Sequence, residues 1–155
     1  MVLIVGLSGL GLGGYSLFNQ LYPPKSLTRA HLDTDYAVSS GSWEAVNFDV
    51  LDYDTTGNFD IVTDRFICQI SGYYLISGML MFSIMLDGEA IFLAAFVEGI
   101  LESGSGAHAS QTNSLSTGFT DIVYLNAGDF LELRVFHTGV APRTINGNSA
   151  GSYTY

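Results

Sequence analysis

Apolar and polar positions alternate along the middle of the chain, and this alternation predicts strands. Phe66, Cys68 and Ile70 share one parity within residues 65–70, as on a strand with one buried face. The following run, residues 73–86, is apolar at both parities, so both of its faces should be covered. In a small all-β chain this requires a second sheet on one side and often a partner subunit on the other.

The same pattern predicts further strands along the chain. They are expected at residues 27–36, 43–51, 59–62, 90–100, 120–125 and 130–136. Asp87-Gly88 is a two-residue hairpin signal between two of them. Residues 103–118 are rich in serine and glycine, which is typical of an exposed loop.

An aromatic ladder with fixed gaps runs through the centre of this pattern. Its aromatic members are Phe48, Phe59, Phe66 and Tyr74, and Asp54 and Gly72 hold fixed positions between them. The spacing resembles the signature of the C1q/TNF-like jelly-roll family, which continues with an aromatic residue at each of the next two alternate positions. This chain has Ile76 and Gly78 there. A Gly128-Asp129 turn followed by an alternating strand extends the resemblance, which covers about residues 29–155.

The resemblance implies an all-β, antiparallel jelly-roll β-sandwich that assembles as a compact homotrimer. Calcium bound in the loops is known for some C1q-like domains, and the resemblance implies no other cofactor. Because residues 73–86 are apolar at both parities, we expect this strand to supply the trimer interface. The residues predicted for that interface are Tyr74, Ile76, Leu80 and Phe82.

Residues 1–24 form a Gly-rich segment without a charged residue, ahead of a domain at 25–155. A signal peptide requires a basic start and an A-x-A-like site, and a membrane-spanning helix would be interrupted by five glycines before position 15. An arm that packs on another protein of an assembly is the favoured interpretation. Its predicted anchoring residues are Val2, Leu3, Ile4, Val5, Leu17 and Phe18.

Within this segment Gly9, Gly11 and Gly14 form the pattern G-x-G-x-x-G, which in a dinucleotide-binding unit lies between a strand and a helix. Pro23 and Pro24 would end any helix after about two turns, and no alternation of strands and helices follows. The motif therefore does not indicate a dinucleotide site.

Composition narrows the functional classes. The chain of 155 residues is 48% hydrophobic and only 13% charged, with a net charge of −10. Acidic chains of this kind lack the basic patches that nucleic-acid binding needs. The low charged fraction favours a surface that meets a partner. A single cysteine, Cys68, excludes an intrachain disulfide and is expected to be buried in a strand.

Catalytic and metal-binding patterns are weak. His31, His108 and His137 are far apart in sequence, without metal-ligand spacing. We therefore expect no enzyme. Several aspartates crowd residues 49–64, and Asp54 holds the signature's Asp/Asn position, where capping a turn suffices to explain it.

Two functions remain open. The absence of a secretion signal and of a Gly-x-y stalk favours a virion protein, either a capsid decoration (cement) protein or a fibre knob of a bacteriophage. Its expected partners are its own copies and the major capsid protein or another virion protein. The alternative is a secreted or surface C1q-like domain that recognises a ligand outside the cell.

Overall fold

The computed structural model describes residues 26–147 and, through their backbone, residues 2–8. These residues form strands and no helix, so the described part of the chain has no helix that could cross a membrane. The strands are β1 (Val2–Ser8), β2 (Ser26–His31), β3 (Tyr36–Val38), β4 (Glu44–Ala45), β5 (Val50–Asp54), β6 (Phe59–Asp60), β7 (Arg65–Ile67), β8 (Gly72–Met85), β9 (Ala90–Val97), β10 (Ile100–His108), β11 (Asn113–Leu125), β12 (Phe130–His137) and β13 (Arg143–Ile145).

Two antiparallel sheets contain these strands. The first has the order β3-β13-β8-β1-β2-β5, and β11 also pairs with β8. The second has the order β10-β9-β12-β7-β6, and β4 also pairs with β12. Every pairing is antiparallel, which confirms the all-β sandwich that the sequence predicts. Strand β8 is central to the first sheet, since it pairs with β11 along nearly its whole length.

The hydrophobic core lies between the two sheets. From β8, the alternate residues Tyr74, Ile76, Leu80 and Phe82 point inward, and none is more than 3% exposed. The second sheet contributes Leu93, Leu131, Leu133 and Val135 to the same cluster. Full burial of such side chains contributes about 1.5–3 kcal/mol each, which makes this layer the main source of stability.

Gly78 departs from the family signature, and the structure shows how the core accommodates it. A Cβ atom on Gly78 would lie 2.9 Å from Leu133 Cδ1 and 3.3 Å from Leu93 Cδ2, with the Phe119 ring 3.8 Å away. The space that an aromatic residue would fill is therefore occupied by these three neighbours.

Residues 103–118, expected as an exposed loop, instead lie mostly in two strands, with only 109–112 between them. A Cβ atom on Gly104 would lie 2.6 Å from both Ala94 Cβ and the Leu93 carbonyl oxygen. The glycine is thus required where β10 approaches β9 closely, and it does not mark a loop.

The expected single strand at 43–51 is also divided. Its first part is β4, in the second sheet, and its last part belongs to β5, in the first sheet. Between them Val46 and Phe48 turn into the core, where they are 3% and 7% exposed. The chain therefore crosses between the layers here, which alternation of apolar residues alone could not distinguish from one continuous strand.

The N-terminal segment enters the first sheet. Strand β1 lies between β2 and β8, with Ile4 opposite Thr28 on one side and opposite Ile76 on the other. The first part of the expected arm therefore belongs to the sheet of the domain. A strand in this position pairs the backbone groups of β2 and β8 that would otherwise face each other without partners.

Candidate assembly interface

The outer face of the β8 and β11 pair is an exposed surface built from two long strands. Residues that lie directly opposite in an antiparallel pair point to the same side, so the register defines the surface. Tyr73 is opposite Tyr124, and Leu75 is opposite Ile122. The surface, which we call the β8–β11 face, comprises Tyr73, Leu75, Ser77, Met79, Met81, Ser116, Gly118, Thr120, Ile122 and Tyr124.

Large apolar side chains of this face are in contact with water. Tyr73 and Ile122 are each 62% exposed, and Tyr124 is 52% exposed. The two tyrosine rings pack edge to face with centroids 5.2 Å apart. No residue of the face is charged, although the chain carries 15 acidic and 5 basic residues. An uncharged surface that exposes large apolar side chains on a highly acidic protein is typical of a site that meets another protein.

The centre of the face is recessed. A groove of about 600 Å³ runs along 77–79 and 116–120. Gly118 contributes to the recess, because a Cβ atom there would lie 2.8 Å from the Gly78 carbonyl oxygen. Ser77 and Thr120 share a hydrogen bond of 3.0 Å between their hydroxyl groups. The recess is a shallow depression without charged residues that can receive a side chain from a partner.

The outer face of the second sheet differs, because the chain covers it with its own side chains. The Trp43 ring packs on Phe96 and Phe136 with centroid distances of 5.3 and 5.5 Å. Glu132, only 3% exposed, is paired with Arg134 and with Arg65, whose Nε lies 3.2 Å from its Oε2. Apolar and charged groups are thus satisfied within the chain here, which leaves the β8–β11 face as the candidate interface.

The residues predicted for the interface require a correction. Tyr74, Ile76, Leu80 and Phe82 point into the core of a single chain and are 3%, 0%, 3% and 0% exposed. A partner subunit could not contact side chains buried in this way. The other set of alternate residues, which includes Tyr73 and Met79, points outward instead. The sequence showed that both sets are apolar, but it did not show which of them the second sheet covers.

The predicted anchoring residues fall into two groups. Val2, Leu3, Ile4 and Val5 lie in β1 and take part in its pairing with β2 and β8. Leu17 and Phe18 lie outside the described residues. Anchoring by any of them remains a prediction.

Asp54 caps a turn. Its carboxylate accepts hydrogen bonds from the backbone N–H groups of Thr56, Gly57 and Phe59 and from the Thr28 hydroxyl. Four donors occupy the two carboxylate oxygens, and this turn-capping role explains the aspartate at position 54 without a metal ion. Across residues 2–8 and 26–147, no group of three or more histidine, cysteine, aspartate or glutamate side chains is arranged to hold a metal ion.

The histidines have separate structural surroundings. His137 is fully buried, donates from Nε2 to the Val38 carbonyl at 3.1 Å and accepts the Gly139 N–H at Nδ1. His31 lies 3.1 Å from Asp52, and His108 packs against an aromatic ring of β9. The structure therefore does not bring the three candidate histidines together into one site.

Cys68 is 1% exposed, which confirms the predicted burial. Its Sγ donates to the Ile70 carbonyl oxygen at 3.2 Å. The Tyr74 hydroxyl donates to the same oxygen at 2.6 Å. The thiol is therefore part of the packing around the first residues of β8.

Asp64 is a buried acid in a left-handed backbone conformation, with φ of 56° and 8% exposure. Burial raises the pKa of its carboxyl group to about 6, although the group accepts the Phe48 N–H at 2.8 Å. This hydrogen bond fixes the segment that carries Phe48 into the core. Burial likewise raises the pKa of the neighbouring Tyr36 hydroxyl to about 12. Neither group lies on the β8–β11 face, so we assign both to the structure of the subunit.

No family model and no curated protein matches the sequence. The fold is similar to solved structures. The globular domain of zebrafish complement 1qA protein superposes with a TM-score of 0.55 and 18% identity, over 75% of this chain and 90% of that one. The Eiger TNF of S. frugiperda superposes with a TM-score of 0.52 and 15% identity, over 76% and 80%. These similarities confirm the C1q/TNF-like jelly-roll fold.

Proposed function

We propose that the protein is a non-enzymatic structural module that assembles as a homotrimer through the β8–β11 face. The observation that supports this proposal is the absence of any charge on a face where Tyr73 and Ile122 are mostly exposed. When another protein covers such a face, the free energy falls by about 25 cal/mol for each Å² of apolar surface removed from water.

A closed ring of three copies requires the face of one copy to meet a different surface of the next. The edge strand β10 offers such a surface. Ile100 and Leu101 are 66% and 54% exposed. Among the described residues, β10 forms strand pairing only with β9, and Ser105 in its second half lies 3.5 Å from the Thr117 hydroxyl of β11. We therefore propose that the end of β10 that carries Ile100 and Leu101 in one copy packs on the β8–β11 face of its neighbour.

We further propose that the trimer is part of a virus particle, as a capsid decoration protein or a fibre knob. The support comes from the N-terminal sequence, in which the first charged residue is Lys25. Apolar residues beyond β1, including Leu17 and Phe18, require a surface to bury them. The major capsid protein or another virion protein is the proposed partner for that segment.

Two measurements test this proposal. Sedimentation velocity of the full chain at micromolar concentration should show a trimer, and a monomer at all concentrations would refute the assembly. Native particles should contain the protein in a fixed ratio to the major shell protein. A protein that separates completely from purified particles would refute the virion role while leaving the trimer intact.

The second candidate is a recognition domain outside the cell. It is favoured by the similarity of the fold to the complement 1qA globular domain and to Eiger TNF. In this case the loops would bind the ligand, and two of them present valines that are almost fully exposed, Val62 at 86% and Val140 at 93%. A soluble trimer recovered from the medium, without particles, would favour this function.

A further inference from the structure

Strand β1 occupies an unusual place for the first residues of a chain. It is paired on both sides, at five positions with β2 and at six with β8. Within the described part of the chain, the antiparallel pair β2 and β5 joins the rest of the first sheet only through β1. The segment therefore fills a slot between two strands, and the integrity of the sheet depends on something occupying it.

The connection from β1 to β2 is long. Residues 9–25, seventeen in number, separate Ser8 from Ser26, although the two strands are antiparallel neighbours. Two residues suffice to join such neighbours, and connections above about 12–15 residues are uncommon in compact domains. Seventeen residues span up to about 56–61 Å when extended. This reach exceeds the diameter of roughly 36–39 Å expected for a domain of this size from its radius of gyration.

The slot also borders the β8–β11 face. Leu3 is opposite Ser77, and both strands that flank β8 at this point, β1 and β11, lie about 5 Å from it. A neighbouring copy seated on the face would therefore lie close to the β1 slot. A connection of 17 residues is long enough for β1 of a neighbouring copy to reach this slot.

We propose that β1 is exchanged between copies, so that residues 2–8 of one subunit complete the first sheet of the next. This inference rests on the proposed trimer and identifies a second contact within it. Exchange keeps every backbone pairing of β1 and changes only the subunit that supplies the strand, which makes it a low-cost link between copies. It adds eleven paired positions between neighbours, so the trimer gains resistance to dissociation.

Cysteine pairs distinguish exchange from pairing within one chain. L3C and S77C place thiols at directly opposite positions of β1 and β8. The two single variants, carrying different tags, are produced together in one cell and oxidised mildly. A matched control replaces L3C by T120C, because Thr120 is opposite Ser77 in β11 and its hydroxyl lies 3.0 Å from that of Ser77.

With exchange, the L3C and S77C chains form a disulfide-linked heterodimer on a non-reducing gel, and the L3C/S77C double variant forms a linked trimer. The S77C/T120C double variant remains a monomer on the same gel, since β8 and β11 belong to one chain. A double variant L3C/S77C that runs only as a monomer, or forms no disulfide, overturns the proposal. Sedimentation of the reduced variants separates the two proposals: a trimer with disulfides only within chains refutes exchange alone, whereas a monomer refutes the trimer itself.

Discussion

Replacing Ile122 by glutamate should dissociate the assembly without unfolding the subunit. Ile122 lies on the β8–β11 face, opposite Leu75, and is 62% exposed in the single chain. A glutamate at this position remains in water in the monomer. We therefore expect a change in the unfolding free energy of the monomer within about 0.5 kcal/mol, as for other exposed positions.

In the trimer the same change is costly. Full burial of an isoleucine contributes ~1.5–3 kcal/mol, so the 62% still exposed leaves roughly 1–2 kcal/mol per copy to be gained on assembly. Three copies lose roughly 3–6 kcal/mol, which lowers the trimer association constant by about 10²- to 10⁴-fold. Burying three unpaired carboxylates adds several kcal/mol for each ion.

Sedimentation velocity at about 1–50 μM, the range in which a micromolar complex dissociates, measures the effect. V140E is the matched control, since Val140 is 93% exposed in a loop away from the face and receives the same charge. We expect I122E to be a folded monomer and V140E to remain a trimer. A trimeric I122E, or a V140E variant that dissociates equally, would refute the assignment of the interface.

Three further predictions concern the subunit itself. Cys68, at 1% exposure, should react with an impermeant maleimide only as fast as the protein unfolds, and rapid stoichiometric labelling would contradict its place in the core. Because burial raises the pKa of Asp64 to about 6, its ionised form destabilises the folded state above that pH, and the cost disappears as the pH falls toward the ordinary value of 3.8. D64N should therefore be more stable than the natural protein at pH 7, by on the order of 1–2 kcal/mol in urea unfolding, and equal to it below pH 4; equal stability at both would contradict this. G104A should lose about 1–3 kcal/mol, because its Cβ would meet Ala94 at 2.6 Å, whereas S105A in the same strand should change little; similar values for the two variants would refute the close approach of β9 and β10.

The aromatic ladder carried most of the fold information. Phe66 and Tyr74 pack edge to face with ring centroids 5.5 Å apart, and Phe48 and Phe59 do so at 6.1 Å. These positions of the ladder therefore meet in space, as the sequence pattern implies. This is why the two-layer antiparallel architecture could be predicted from one chain.

For the candidate interface, the sequence predicted the strand that contributes to it, β8, but not which side of that strand. Both parities of β8 are apolar, and the choice between Tyr73 and Tyr74 depends on where the second sheet lies, which no local pattern contains. The glycines of β10 misled the prediction for a related reason. Gly104 has a loop-like composition around it, but its requirement arises from Ala94 on another strand. Contacts between distant segments decided both cases.

The position of β1 has a consequence for how the chain acquires its structure. Leu3 pairs with Ser77, so β1 completes its pairing only after a strand more than seventy residues further along the chain has been made. Contacts of such long range slow folding, because the chain loses loop entropy before it gains contact energy. Strand β2 follows β1 closely in the chain and can cover one edge of it early. The edge that faces β8 stays unpaired until β8 has been made, and an open edge of this kind is prone to pair with another chain.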